Sequence, residues 1–262
     1  MKFAIIYICT GRYSIFWDHF YQTAEQYFLP DAQKEYYVFT EDKKILEAAQ
    51  RGVYPHYCKK MGWPYDVLQK WEHICGVQDL LSPYDYIVLC NANMEFLRPI
   101  SKSEFGQGEF TVWTSSKDGD ESENMPFERN ANSAAYIPYG TKKEKYLSSR
   151  FIVGRAGAFL QMARTLRDWT AEDLRRGVIA VWHDESMENA YFYHHPEISL
   201  HYVGPSLIAV EELMAEGETT HAIFCNKDKY GGNVGVRYHP LLGKLDIFRR
   251  KAFHKIGKIF RK

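Results

Sequence analysis

The sequence predicts an α/β fold: a single Rossmann-like domain around a mainly parallel, mixed sheet. Three observations carry this. Apolar runs rich in β-branched and aromatic residues read as strands, with Tyr86 to Cys90 wholly uncharged. Stretches with apolar residues at helical spacing alternate with them, which implies parallel strands with helices on both faces. The chain also opens as strand, Gly turn and helix, the start of a nucleotide-binding unit.

Taken in order, Lys2 to Cys9 is the first strand, and it breaks at Thr10-Gly11-Arg12-Tyr13. A helix follows from about Ser14 to Phe28, with Phe16, Phe20, Ala24 and Phe28 on one stripe. No G-x-G-x-x-G is present, so this is not the dinucleotide fingerprint. Glu35 to Thr40 is the second strand, Lys43 to Arg51 a short helix, and His56 to Lys60 a third strand. Asp66 to Leu81 reads as one helix. The central strand then ends in Asn91-Ala92-Asn93, two short polar side chains one residue apart. Such a pair reaches one side of the sheet's carboxyl edge, where open α/β sheets bind ligands. Many nucleotide-sugar transferases carry Asp-x-Asp here to hold a metal under a diphosphate; taken alone, Asn-x-Asn after a strand is more often a turn.

The second half is less regular. Glu109 to Trp113 reads as a strand and Ser115 to Asn124 as an acidic surface loop. Phe151 to Gly154 precedes a helix from about Ala156 to Arg176. The apolar stretch Val178 to Trp182 leads into His183-Asp184-Glu185-Ser186 and another helix to about His194. Strand-like pieces follow near Ile198 to Val203 and His221 to Phe224. With no repeats and no Gly/Ser linker, one domain is expected over residues 1–237.

Residues 238–262 differ in kind. Leu241, Leu245, Phe248, Ile256 and Ile259 fall near helical spacing among eight Lys and Arg and one Asp. Such a basic amphipathic tail (241–262) suits an anionic membrane surface, the alternatives being a docked helix or a disordered tail.

Composition sets the outer bounds. Lys plus Arg and Asp plus Glu both count 33, so charge argues neither for nor against nucleic acid, and no nucleic-acid-binding module is recognised. The five cysteines are odd in number and scattered, which points away from a disulfide framework or zinc site and towards a reducing compartment. No signal peptide or transmembrane helix is expected, so the chain is placed in the cytoplasm, peripheral at the inner-membrane surface.

At Trp182-His183-Asp184-Glu185-Ser186 the chain resembles family 6 retaining glycosyltransferases, the blood-group A and B transferase and α1,3-galactosyltransferase relatives. Colinear pieces support this: Thr23-Ala24-Glu25, Tyr36 to Thr40, Asn93 to Phe96, Phe127-Glu128-Arg129, and Ala135 to Pro138. The Asn-x-Asn places it nearest the bacterial, metal-independent members. The resemblance implies a GT-A fold, with UDP-sugar binding in the N-terminal half and acceptor binding in the C-terminal half. It implies transfer of galactose or N-acetylgalactosamine from a UDP donor to a β-galactoside acceptor in α1,3 linkage. The acceptor would be an oligosaccharide or lipid-linked glycan in bacterial surface-glycan synthesis.

The same resemblance assigns residues. Ile8, Cys9, Thr10 and Tyr13 align with uridine contacts, and Lys70 with a basic residue near the donor. Asn91, Asn93, Ser148, Ser149 and Arg150 would complete the donor site. Lys229 and Arg237, with Lys227 as an alternative, would cover the diphosphate. Asp184 would bind donor-sugar hydroxyls, and Glu185 would face the anomeric carbon. Trp182 would stack on the acceptor, with His183, Trp113 and Thr114 nearby.

From chemistry alone, Glu185 suits an oxocarbenium-like transition state, and an acid at a helix start is its plainer explanation. Two amides hold a hard divalent cation poorly, so no metal or other cofactor is expected, and Lys229, Arg237 and Lys70 are expected to supply the positive charge. Ser148-Ser149-Arg150 departs from the family's small residues; the bulk of Arg150 favours galactose. The competing class is a non-catalytic nucleotide-sugar or glycan-binding protein, which would bind UDP without turnover.

Overall fold

The computed structural model describes residues 1–115, 125–140, 145–237, 241–245 and 247–248. Its centre is β1 (Lys2–Ile8), whose residues Phe3 to Tyr7 are fully buried. β2 (Gln33–Thr40) and β4 (Tyr86–Cys90) flank β1 in parallel, and β3 (Val53–Tyr57) extends the sheet beyond β2. On the far side lie β7 (Phe151–Arg155), β6 (Phe110–Trp113) and β8 (Leu200–Val203). The order is β3-β2-β1-β4-β7-β6-β8, and among these seven strands β7 runs against the rest. A mainly parallel, mixed sheet is therefore present as expected.

Alternation along β1 sorts its side chains between two cores. Ala4 and Ile6 join a layer with Trp71, Phe159, Met187 and Tyr191, whereas Phe3, Ile5 and Tyr7 join one with Trp17, Phe20 and Phe96. The first layer is built on α4 (Lys70–Gly76), α6 (Ala156–Arg175) and α7 (Asp184–His194). The second rests on α1 (Trp17–Tyr27), whose carboxyl end is satisfied by Lys34 Nζ donating to the Ala24 and Phe28 carbonyls at 2.6 and 2.5 Å.

Several elements differ from expectation. The third strand is Val53–Tyr57, three residues earlier than expected, because it pairs Tyr36↔Val53 through Thr40↔Tyr57. Pro55 is tolerated there because β3 is an edge strand. The helix expected over Asp66 to Leu81 is three pieces: α3 (Tyr65–Leu68), α4 and α5 (Gln78–Leu81), broken at Gln69 and Val77. The helix from Lys43 stops at Leu46, and α1 is preceded by a 3-10 turn over Gly11–Phe16. A small sheet of β5 (Met94–Phe96), β10 (Ala222–Phe224) and β9 (Ile208–Val210) packs into the second core, and of these only β10 was expected. The acidic stretch after Ser115 lies outside the described residues, as does most of the tail from residue 238.

Candidate active site

The carboxyl ends of β1 and β4 open into a cleft of about 660 Å³. Register explains its floor. β7 pairs antiparallel with β4, Cys90 opposite Phe151, and the Asn91 N–H donates to the Arg150 carbonyl at 2.9 Å. Ser148, Ser149 and Arg150 are thereby set beside Asn91. Of the residues expected at the site, Ile8, Thr10, Tyr13, Lys70, Asn91, Trp113, Ser148, Ser149, Arg150, Trp182, Asp184, Glu185 and Arg237 all line this cleft.

Glu185 is held by three donors. Tyr146 OH donates to Oε1 at 2.8 Å, Ser148 Oγ to Oε2 at 2.7 Å, and the Ser149 N–H to Oε2 at 3.1 Å. Burial first, and then the adjacent Glu185 charge, pushes the Tyr146 phenol well above its usual range, so Tyr146 stays a donor. The 145–150 segment is itself clamped. Asn189 accepts from the Leu147 N–H at 3.1 Å and donates to the carbonyls of Leu147 at 2.9 Å and Glu185 at 2.8 Å. Thr114 Oγ donates to the Tyr146 carbonyl at 2.6 Å. Immediately before α7, His183 takes φ 55°, ψ −120°, a left-handed backbone that bends the chain into the helix. Residues Ser186 to Phe192 of α7 are then all buried, so the carboxylates at its start are mounted on the core.

Behind Glu185 lies a second cluster. Lys70 Nζ donates to Asp184 Oδ2 at 2.7 Å, Glu188 Oε1 at 2.5 Å and Ser149 Oγ at 2.6 Å. Burial alone would lower the Lys70 pKa, but Asp184 and Glu188 outweigh it, so the ammonium is held protonated. Burial pushes the Glu188 carboxyl up to about 7, against the pull of Lys70. An ammonium has three N–H groups, and these partners use all three. Lys70 thus serves as counter-charge to carboxylates and has none left for a diphosphate, contrary to expectation.

The remaining expected residues sit elsewhere. Lys229 is exposed and ion-paired to Glu211, outside the cleft lining, whereas Lys227 lines both the cleft and an adjoining compartment of about 270 Å³. Lys227 Nζ also lies over the Tyr13 ring at 5.2 Å. Cys9 is fully buried, its thiol raised to about 12 by burial, and is a core residue. Thr114 is buried and acts through Tyr146. His183 packs edge-on to Trp63 at 4.8 Å behind the lining. Asn93 borders the smaller compartment, but its Nδ2 donates to the Cys225 carbonyl at 2.8 Å, and its Oδ1 is buried without a partner among the described residues. Hard divalent cations want anionic oxygens. The amide side chains at 91 and 93 do not fit such a metal. Besides the carboxylate-paired Lys70, the cations bordering the two compartments are Arg150, Lys227 and Arg237.

Sequence reasoning missed Tyr146, Glu188 and Asn189, as well as Trp63, which lines the cleft, and Glu212, which lines both compartments. Glu188 had a readable signal: it lies four residues after Asp184 in the same helix, hence on the same face. Tyr146 and Asn189 act across a long sequence gap, and nothing local marks them.

Comparison with known proteins agrees with this geometry. Residues 2–203 match Glycosyltransferase family 6. The chain is 30% identical over 237 residues to the O-antigen biosynthesis glycosyltransferase WbnI of Escherichia coli, a match covering 89% of this chain and 99% of that one. It is 27% identical over 195 residues to histo-blood group ABO system transferase 2 of Rattus norvegicus, and 25% over 201 residues to globoside alpha-1,3-N-acetylgalactosaminyltransferase 1 of Gallus gallus. Those matches cover 70% and 71% of this chain but only 57% and 55% of the vertebrate proteins. A family match that takes in β1, the Asn91–Asn93 turn and the Asp184–Glu185 helix start covers most of the cleft lining, and the chain belongs to glycosyltransferase family 6.

Proposed function

We propose that this enzyme transfers galactose from UDP-galactose, with retention, to a β-galactoside-type acceptor in α1,3 linkage during bacterial surface-glycan synthesis. The observation that carries the reading is Glu185, a carboxylate at the cleft wall fixed by Tyr146, Ser148 and Ser149. The C1–O bond to UDP breaks and positive charge grows at C1. A preorganised carboxylate offsets that charge with no reorganisation at the moment of reaction. A C1–O bond to the acceptor hydroxyl then forms, and the hydroxyl proton leaves with the departing diphosphate or to solvent. Asp184 faces the donor hydroxyls, and the exposed Trp182 offers a ring face to the acceptor.

Metal independence is supported by the amides at 91 and 93 and by Arg150, Lys227 and Arg237 as replacement charge. Galactose over N-acetylgalactosamine is supported by Arg150, whose guanidinium lies 5.6 Å from the Trp113 ring and 5.4 Å from that of Phe224, across the space beside Asn91. Among the described residues no helix is long and apolar enough to cross a membrane. A peripheral place at the cytoplasmic membrane surface is supported by exposed Leu242, Leu245 and Phe248 beside a run of Lys and Arg.

The test is UDP release from UDP-galactose and UDP-N-acetylgalactosamine in EDTA, by wild type and Glu185→Gln. Faster turnover of UDP-galactose that collapses in the variant is expected. UDP binding without turnover of either donor overturns the reading in favour of a binding protein.

A further inference from the structure

Glu188 is 0% exposed and does not line the cleft. Its Oε1 accepts from Lys70 Nζ at 2.5 Å and lies 2.9 Å from Ser149 Oγ. Its Oε2 is buried and has no hydrogen-bond partner among the described residues. A half-satisfied buried carboxylate is expensive, and an apolar side chain of similar volume would pack there at lower cost. Stability therefore does not account for it.

What Glu188 does is visible in how donors are shared. Lys70 and Ser149 each lie between two carboxylates, Asp184 Oδ2 at 2.7 Å from both and Glu188 Oε1 at 2.5 and 2.9 Å. Lys70, Ser149 and Asp184 line the cleft, and Glu188 sits behind them. Without Glu188, Asp184 becomes the sole carboxylate on the Lys70 ammonium and on the Ser149 hydroxyl.

We propose that Glu188 is a positioning residue for the donor sugar: by sharing Lys70 and Ser149 with Asp184 it fixes the Asp184 carboxylate against the hexose. The proposal rests on the reading that this cleft holds a UDP-sugar. It predicts that Glu188 governs the hexose part of donor affinity and leaves the UDP part alone. It also predicts a pH signature. The charged or titratable groups facing Glu188 are Lys70 on α4, Asp184 and Glu185 on its own helix, and Tyr146 on the 145–150 segment. Lys70 stays protonated, Tyr146 stays neutral, and burial raises Glu188 to about 7. Loss of the Glu188 charge as pH falls through that value loosens Lys70 from the cluster.

The experiment compares the dissociation constants of UDP and UDP-galactose by calorimetry for wild type, Glu188→Gln and Glu188→Leu. Their ratio is the hexose increment, and it needs no turnover. The Lys70→Met/Glu188→Leu double variant, which removes both charges together, tests folding by its melting temperature and takes the same measurement if a single variant misfolds. Wild type is expected to bind UDP-galactose more tightly than UDP, by a margin that narrows as pH falls through about 7. The variants are expected to lose about tenfold of that margin and its pH dependence, with UDP affinity within about twofold of wild type. Variants that keep the margin and its pH dependence overturn the proposal, as does an equal loss of UDP and UDP-galactose affinity. Failure of the transferase reading shows separately, as wild-type chain that binds UDP-galactose and never releases UDP.

Discussion

Replacing Asn189 by Ala tests whether the 145–150 segment is held by α7. The substitution removes three hydrogen bonds: Leu147 N–H to Oδ1, and Nδ2 to the carbonyls of Leu147 and Glu185. Leu147 is 2% exposed, so its N–H and C=O lose their partners where water does not replace them. Each buried group left unsatisfied costs roughly 1–3 kcal/mol, which puts the loss at about 3 kcal/mol. In a domain of this size that is a fall in Tm of about 6–12 °C. Urea denaturation should show a lower midpoint at unchanged slope. Activity should fall too, because Ser148 and Ser149, two of the groups that orient Glu185, ride on the released segment. Asn189→Asp is the sharper control: it keeps the acceptor for Leu147 N–H but sets a carboxylate against two carbonyls, and it should destabilise more than Ala. An Ala variant that loses less than about 1 kcal/mol and keeps its kcat would refute the clamp.

Three further outcomes are expected. Lys227→Ala should raise the donor KM about tenfold or more, the worth of a hydrogen bond to a charged group, whereas Lys229→Ala, already paired with Glu211 at the surface, should leave it near wild type in steady-state assays. Stability should fall as pH rises from about 4.5 to about 7, because the folded chain keeps the Glu188 proton that the unfolded chain has lost. The effect is up to about 3 kcal/mol, Lys70 stays charged throughout, and Glu188→Gln should abolish it in melting curves across that range. All five cysteines are buried, and burial raises Cys9, Cys58 and Cys225 to about 12, 11 and 12, so native chain should resist iodoacetamide while denatured chain takes up five labels by mass spectrometry.

The parts legible in the sequence were those governed by local pattern. β1 and β4 are buried nearly end to end and β2 from Tyr36 to Thr40, so their apolar runs declared them. β3 was misplaced because its register is set by β2 and by its edge position, neither of which is a property of Val53 to Tyr57 alone. β9 is a three-residue strand stabilised by its neighbour β10, and it has no signal of its own. At the site, Asp184 and Glu185 were readable from a motif, but the duty of Lys70 was not. Asp184 and Glu188 lie 114 and 118 positions away, and only the packing of α4 near α7 shows that they claim its protons. Lys229 and Lys227 are two residues apart, and which one faces the cleft depends on the 3-10 turn Lys227–Tyr230 and on Glu211, which captures Lys229.

The burial of α7 from Ser186 to Phe192 has a consequence for how this enzyme can diversify. Any substitution that moves the Asp184 and Glu185 carboxylates must first repack the core around Met187, Ala190 and Tyr191, and such repacking is costly to stability. Trp63, Trp182 and Leu213 border the same cleft while 45%, 49% and 76% exposed, and they carry little of the fold. Inheritable change in which glycan is accepted therefore has its cheap routes at the rim, and the bond-making end stays constant.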